Sequence, residues 1–405
     1  MKNLLVGQSG GPTAVINASL YGVVKAALAS PEIGHVYGMV NGIEGMLQDH
    51  TLDLGESLSE EDLELLKLTP AAYLGSCRYK LPESLTDAFY ETIFEKFRRM
   101  EIGYFLYIGG NDSMDTVSKL SRYAAHHGSD IRFIGIPKTI DNDLIQTDHT
   151  PGYASAAKYV AASVREIALD ASVYQQKAVT IVELMGRHAG WLTAASALAR
   201  KFEGDNPVLI YLPEADFELE QFAKDLKAAL EKQNSVVVCV SEGISDASGT
   251  FICEYGDEAM IDNFGHKMLT GCGKVLENFI RHRFGVKVRS VELNVNQRCS
   301  GMLASETDIT EAALAGQKGV EAALAGETGK MVAFERVQEE PYRMECRLVD
   351  VNEVCNQEKK VPLEWITGNG SDVGQAFLDY ARPLIKGEPK RPMEDGIPKY
   401  LYRKG

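Results

Sequence analysis

Short apolar runs alternate with longer segments of helical period along most of the chain. Strand patterns fall at Asn3–Gln8, His35–Val40, Tyr104–Ile108, Arg132–Pro137, Val179–Leu184, Val208–Leu212, Val236–Ser241 and Val288–Asn294. Helical spacing marks Ala14–Ala29, Ser113–His127, Gly152–Tyr174 and Leu219–Lys232. Strands that are apolar at nearly every position are covered on both faces. Their alternation with helices predicts an α/β fold built on mainly parallel sheets. In such sheets ligands bind beyond the carboxyl ends of the strands, so the turns after the strands are the places to look for chemistry.

The rest of the pattern is less regular. The segment Glu-Ala-Ala-Leu-Ala-Gly occurs at Glu311–Gly316 and again at Glu321–Gly326. Two copies are too few for a solenoid and predict an Ala-rich helix broken by glycines. From about Pro341 the chain reads as loop-rich and acidic up to a basic tail. No low-complexity linker marks a boundary, and the pattern divides into 1–150, 151–340 and a C-terminal extension, 341–405.

Composition narrows the function. The chain has 405 residues, 45% of them hydrophobic, enough for two or three cores. Its 42 basic and 57 acidic residues leave a formal charge of −15, which disfavours nucleic-acid partners. Any site for an anionic substrate must therefore concentrate Arg and Lys locally. The seven cysteines, Cys77, Cys239, Cys253, Cys272, Cys299, Cys346 and Cys355, are odd in number and form no C-x-x-C pair. That argues against a zinc knuckle or a disulfide framework and suits a reducing compartment. The first apolar run is too short for a signal peptide, and no stretch approaches the ~20 apolar residues of a membrane span. The expectation is a soluble, cytoplasmic protein with no membrane partner.

Five turns carry candidate chemistry. Gln8-Ser9-Gly10-Gly11-Pro12-Thr13 joins a strand to a helix. Paired glycines let backbone amides approach an anion, and the helix start favours negative charge. The turn lacks the Gly-Lys-Ser/Thr ending of a P-loop, and taken alone it is either a structural turn or a phosphate cradle. Gly109-Gly110-Asn111-Asp112-Ser113 adds a metal-capable amide and carboxylate, with a hydroxyl placed to cap the next helix. Lys138-Thr139-Ile140-Asp141-Asn142-Asp143 sets two carboxylates beside a lysine and a threonine. Alcohol phosphorylation needs a carboxylate to accept the hydroxyl proton and cations to hold the transferring group; the bland alternative is an Asx-turn with solvated aspartates. Met185-Gly186-Arg187 and Ser241-Glu242-Gly243 place an arginine and an acid at strand ends. Arg289 and Arg298 bracket the run Val291–Val295 and can bind a phosphate. Each of these last three sites, taken singly, reads more simply as structural.

Together and in this order, the turns resemble the phosphofructokinase family, from the N-terminus to about residue 305. Gly11 falls on the family's first phosphate-loop glycine. Gly75-Ser76-Cys77-Arg78 matches its Gly-Ser-x-Arg, whose arginine contacts the phosphoryl donor. Thr139-Ile140-Asp141-Asn142-Asp143 reproduces the catalytic motif, with Asp141 as proton acceptor and Thr139, Ile140 and Asp141 also meeting the substrate. Met185, Gly186, Arg187 and Glu242 match sugar-binding positions, and Arg289 and Arg298 fall in the region that grips the sugar 6-phosphate. Asn111 stands where an aspartate associated with magnesium is usual. Val295 replaces a family histidine, and Ala178 aligns with an arginine donated by a neighbouring subunit, for which Lys177 is the substitute. Tyr21 and Lys25 replace two effector-binding arginines.

Donor choice rests on two positions. ATP-dependent members carry glycine at Asp112 and at Lys138, whereas pyrophosphate-dependent members carry aspartate and lysine, as here. The expectation is that Lys138 pairs with Asp112 in the empty site. The resemblance therefore implies two Rossmann-like lobes with the active site in the cleft between them. It also implies Mg2+ as cofactor, a homodimer or homotetramer, and reversible transfer from pyrophosphate to the 1-hydroxyl of fructose 6-phosphate. The rivals are an ATP-dependent enzyme and a non-catalytic, sugar-phosphate-sensing subunit.

Overall fold

The computed structural model describes residues 1–403 except 256–259, 262–266 and 269–270. The principal strands are β1 (Lys2–Gln8), β2 (Ile33–Met39), β3 (Thr51–Asp53), β4 (Ile102–Gly109), β5 (Arg132–Pro137), β6 (Ala178–Leu184), β7 (Leu209–Tyr211) and β8 (Ser235–Ser241). After the short hairpin β9 (Met260–Ile261) and β10 (Lys267–Met268) come β11 (Lys287–Glu292), β12 (Lys330–Gln338) and β13 (Arg343–Asp350).

The chain folds into two α/β units, each with a mainly parallel sheet. The first comprises Met1–Ser155, Arg298–Gln357 and Lys386–Gly405; the second comprises Ala156–Gln297 and Glu358–Ile385. This differs from the linear division 1–150, 151–340 and 341–405. The chain returns to the first unit because β12 adds in parallel to β5, and the residues after 340 are shared between the two units.

In the first unit seven strands lie in the order β13-β12-β5-β4-β1-β2-β3. The five central strands are parallel, and β3 and β13 close the two edges antiparallel. Alternate residues feed two cores, as the two-residue period of a strand requires. Leu5, Phe105, Tyr107 and Phe133 pack on one face with Met114, Val117 and Leu120 of the helix Asn111–His126. Leu4, Val6, Leu106, Ile108, Ile134 and Ile136 pack on the other, with the helices Ile16–Leu28 and Glu306–Leu324. Both faces are apolar, which is why the strands read as nearly continuous hydrophobic runs.

The repeated Glu-Ala-Ala-Leu-Ala-Gly motif forms one unbroken helix, Glu306–Leu324, so its glycines are not breaks. A Cβ at Gly316 would collide with the Ser19 carbonyl oxygen, and one at Gly22 with that of Ala313. Both glycines let the two helix backbones approach closely. The stretch after Pro341, expected to be loop, contains the edge strand β13, whose burial alternates as it pairs with β12.

Strand order explains where the first three turns meet. The chain runs from β1 to β2 on one side and later to β4 and β5 on the other, so the order switches between β1 and β4. Gln8 pairs with Ile108, and Gly109 with Pro137. The turns after β1, β4 and β5 thus leave the sheet side by side, at the crevice where open α/β sheets bind ligands.

The second unit carries the parallel sheet β11-β6-β8-β7. Its core joins Val179 and Ile181 to Val236, Val238 and Val240, with Phe222 and Leu226 of the helix Leu219–Lys232 and Leu276 and Ile280 of the helix Cys272–Phe284. Residues 358–385 are fastened to this unit by a two-point ion pair between Arg200 and Asp372 and by Trp191 packed on Trp365 and Tyr380. The strand expected over Val288–Asn294 ends instead at Glu292.

Candidate active site

Two buried amides anchor the first turn. The Gln8 side chain accepts a hydrogen bond from Leu74 N at 3.0 Å and donates to Asn17 Oδ1 at 2.9 Å. Asn17 in turn accepts from Tyr73 N and donates to the Thr69 carbonyl. These bonds bring the segment 69–78 alongside the turn. Ser76 Oγ then donates to the Gly10 carbonyl at 2.6 Å, and Gly10 N to the Cys77 carbonyl at 3.1 Å. Arg78 is thereby carried, exposed, to the edge of the glycine turn.

The second turn is tied to the first by a hydrogen bond between the Ser9 and Ser113 hydroxyls. Ser113 was expected to cap its helix. It sits in the first turn of Asn111–His126 instead, and no side chain caps that helix. Asn111 Nδ2 donates to the Gln357 carbonyl at 2.9 Å. Its Oδ1 is buried with no hydrogen-bond partner among the described residues. Asp112 is exposed, and its carboxylate lies 3.9 Å from the Lys80 ammonium.

Lys138 does not pair with Asp112. Its side chain is buried, and Nζ donates to the Gly11 carbonyl at 2.7 Å. Burial pushes its ammonium pKa down to about 8; Asp141 and Asp143 oppose the fall, and Arg78 and Arg298 add to it. A Cβ at Gly10 would lie 3.3 Å from Lys138 Nζ, and one at Gly11 would lie 3.4 Å from Arg298 Nη1. Arg298 therefore stands at the glycine turn in the first unit, whereas Arg289 belongs to β11 of the second. Three cations and two carboxylates are thus concentrated around one glycine turn of an acidic chain.

The turn that carries Asp141 is closely braced. Asp141 N donates to Thr139 Oγ1 at 3.0 Å. Asn142 is buried with φ of 55°, and its Oδ1 accepts from Thr150 N at 3.0 Å. Ile140 is buried. Asp141 and Asp143, on either side of Asn142, are partly exposed.

In the second unit, Met185 N donates to Gln297 Oε1 at 3.1 Å, and Gly186 N to Glu242 Oε1 at 3.2 Å. Gly186 has φ of 124°, and a Cβ there would collide with the Ala189 carbonyl. Gly243 passes so close to the Arg187 backbone that no side chain fits. The turns after β6 and β8 are therefore locked together, which sets exposed Glu242 beside the Met185–Arg187 turn. The Arg187 guanidinium lies 5.2 Å from the centre of the Phe251 ring. Arg289, on β11, is 46% exposed and 3.7 Å from Asp170. Lys177 is exposed immediately before β6.

Ser9 and Gln297 stand in stretches that the sequence singled out, but their bonds to Ser113 and to Met185 N depend on which strand ends meet. One participant escaped the sequence reading. Glu183, two residues before Met185, is buried, and burial pushes its carboxyl up to about 7. Gly273 N donates to it at 2.7 Å, while the charges of Glu292 and Glu242 raise it further. No local pattern distinguishes this acid from any other strand residue. Among the described residues, no helix is long and apolar enough to cross a membrane.

The chain is similar to known proteins over nearly its whole length. The chain is 41% identical over 405 residues to a pyrophosphate–fructose 6-phosphate 1-phosphotransferase of Methylococcus capsulatus, covering 99% of this chain and 95% of the relative. A crystal structure of a pyrophosphate-dependent phosphofructokinase from Marinobacter aquaeolei is 39% identical with a TM-score of 0.89, covering 99% of this chain and 95% of that one. A second, from Nitrosospira multiformis, is 36% identical with a TM-score of 0.90, covering 99% and 96%. The family model for phosphofructokinase matches residues 3–323, and the chain belongs to the phosphofructokinase family.

Proposed function

We propose that this chain transfers a phosphoryl group from pyrophosphate to the 1-hydroxyl of fructose 6-phosphate, reversibly. The observation that carries this reading is the buried Lys138 ammonium, held on the Gly11 carbonyl with Arg78 and Arg298 near it. A fixed cation in a dry site stabilises charge as it develops on a departing phosphate, with no reorganisation at the moment of reaction. Asp141 accepts the proton of the attacking hydroxyl, and Thr139 holds the backbone of that turn in place. The turn at Gly11 holds the donor. Met185, Gly186, Arg187 and Glu242 take the sugar, Glu242 accepting hydroxyl hydrogen bonds, while Arg289 and Lys177 are available to its phosphate.

The unpartnered amide oxygen of Asn111 suits a hard cation, which takes oxygen ligands. Asn111 would hold Mg2+, which when bound offsets the negative charge of the donor. Asp112, projecting at the same turn, takes up space and adds negative charge where an ATP-dependent member has glycine. Because the phosphoanhydride broken and the phosphoester formed are similar in stability, the reaction runs both ways.

The test is a coupled assay with fructose 6-phosphate and Mg2+, offering pyrophosphate or ATP. The expected result is turnover with pyrophosphate and little with ATP. Preference for ATP would replace this reading with the ATP-dependent one, and turnover with neither would favour a sugar-phosphate-sensing subunit.

A further inference from the structure

The turn that carries Asp141 does not hold its shape alone. After Asp143 the chain doubles back, and residues 147–152 run beside the turn. Thr139 N donates to the Pro151 carbonyl at 3.2 Å, and Thr139 bridges to Gly152. Thr150 Oγ1 donates to the Thr139 carbonyl at 2.8 Å, while Thr150 N holds Asn142. The backbone on both sides of Asp141 therefore hangs on Thr150.

The return segment is tied to β12, Asp148 N donating to the Phe334 carbonyl and Phe334 N to Thr147 Oγ1, and the side chain next to Thr150 adds a second hold. The His149 side chain is only 1% exposed and sits between two carboxylates, with Nδ1 2.8 Å from Asp148 Oδ1 and Nε2 2.7 Å from Glu311 Oε2. A neutral imidazole has one N–H and one lone pair, so one of these contacts would set a lone pair against an anion. Only the imidazolium satisfies both. In keeping with that, the two carboxylates hold the ring's pKa up at about 9 against the opposing effect of burial.

The surrounding groups complete the balance. Arg336 Nη2 donates to Asp148 at 3.0 Å, and the Tyr342 hydroxyl donates to Glu311 Oε1 at 2.7 Å. The His149 ring packs on Phe334, 4.9 Å between centroids. Two cations thus face two buried anions, with exposed Glu339 also 3.2 Å from Arg336, so each buried charge has an opposite partner, which is the condition for burying charge without a large penalty. Three residues from Glu311 on the same helix, Asp308 accepts from Gly152 N and Ser155 N, both at 2.9 Å. The helix Glu306–Leu324 thereby grips both ends of the return segment. Glu311 is 162 residues from His149 in sequence.

We propose that His149, clamped as an imidazolium between Asp148 and Glu311, is a positioning residue that fixes the Asp141 turn for proton transfer. It touches no reacting atom. The inference rests on the phosphoryl-transfer reading above. Loss of the clamp lets the return segment shift, and a base misplaced by about 1 Å costs up to ~100-fold in rate. Thr139, Ile140 and Asp141 meet the sugar within this network, but the candidates Met185, Gly186, Arg187, Glu242 and Arg289 of the second unit lie outside it, so the loss falls mainly on kcat and only slightly on the KM for fructose 6-phosphate.

The experiment compares wild type with His149→Gln and Tyr342→Phe, measuring kcat, KM and thermal unfolding for each, with activity assayed well below the unfolding temperature. The expected result is a kcat lowered roughly tenfold or more by His149→Gln and less by Tyr342→Phe, with KM for the sugar within about threefold. A folded His149→Gln with kcat within twofold of wild type overturns the proposal, as does a change confined to KM. If His149→Gln does not fold, Tyr342→Phe decides: unchanged kcat overturns the proposal, and lowered kcat at unchanged KM supports it. The ratios are taken with whichever donor the wild type uses. A wild type that uses ATP alone refutes the donor reading while still testing His149, and one inactive with both donors overturns both.

Discussion

Replacing Lys138 by methionine separates what this residue does for the reaction from what it costs the fold. The buried ammonium has its pKa lowered from 10.5 to about 8. At 1.36 kcal/mol per unit, that places the charged form roughly 3 kcal/mol above its level in the unfolded chain at neutral pH. Methionine fills similar volume without the charge. It gives up the charge-assisted hydrogen bond to the Gly11 carbonyl, about 1.5–3 kcal/mol, so at pH 7 the variant should match wild type or exceed it by up to about 2 kcal/mol. Between pH 8 and 10.5 the unfolded chain keeps a proton that folded Lys138 has shed. The unfolded state then binds more protons, and wild-type stability rises with pH through that window by up to roughly 3 kcal/mol. The variant lacks this contribution, so any advantage should vanish and the wild type become the more stable near the top of the window. Denaturant unfolding of both proteins at pH 7 and pH 10, taken as a difference, isolates the residue from other titrations. Pyrophosphate-driven kcat should fall ~100-fold or more, because a cation on developing charge acts chiefly in the transition state. The wild type should also lose kcat/KM as pH rises through about 8. A variant less stable than wild type at pH 7, or one that turns over pyrophosphate within tenfold of wild type, refutes the argument.

Three further outcomes follow from the geometry. Asp141→Asn should cost about 10²–10⁴-fold in turnover in both directions while leaving the unfolding midpoint near wild type; near-normal turnover in a folded variant removes the residue from the mechanism. Asp112→Gly should raise the ATP-to-pyrophosphate ratio of kcat/KM by more than about tenfold, ~1.4 kcal/mol, and an unchanged ratio would dismiss Asp112 as a donor gate. It should cost little stability, because its ion pair with Lys80 is more than 80% exposed on both sides. Gly22→Ala should destabilise the first unit by about 1–3 kcal/mol through the clash with Ala313, and calorimetry showing no change would mean that the helices separate freely.

Much of this protein is legible in order along the chain. Strand, glycine turn and helix are local patterns, set by apolar runs and by residues that suit tight turns, so Gln8–Thr13, Gly109–Ser113 and Lys138–Asp143 announce themselves without tertiary knowledge. The Asp141 motif and the Met185–Arg187 turn belong to the same class. Local pattern does not determine which strands become neighbours. Only the order β5-β4-β1 brings three turns to one crevice, and only that meeting turns Lys138 toward Gly11 instead of Asp112. The same holds for Arg298 at the glycine turn and for the return of β12 to β5. Gly316 looks like a helix breaker until a second helix is packed against the first. His149 and Glu311 show no sign of partnership 162 residues apart. Such pairings arise from register, burial and the need to neutralise buried charge, and those exist only once the sheet has formed and the helices have closed over it.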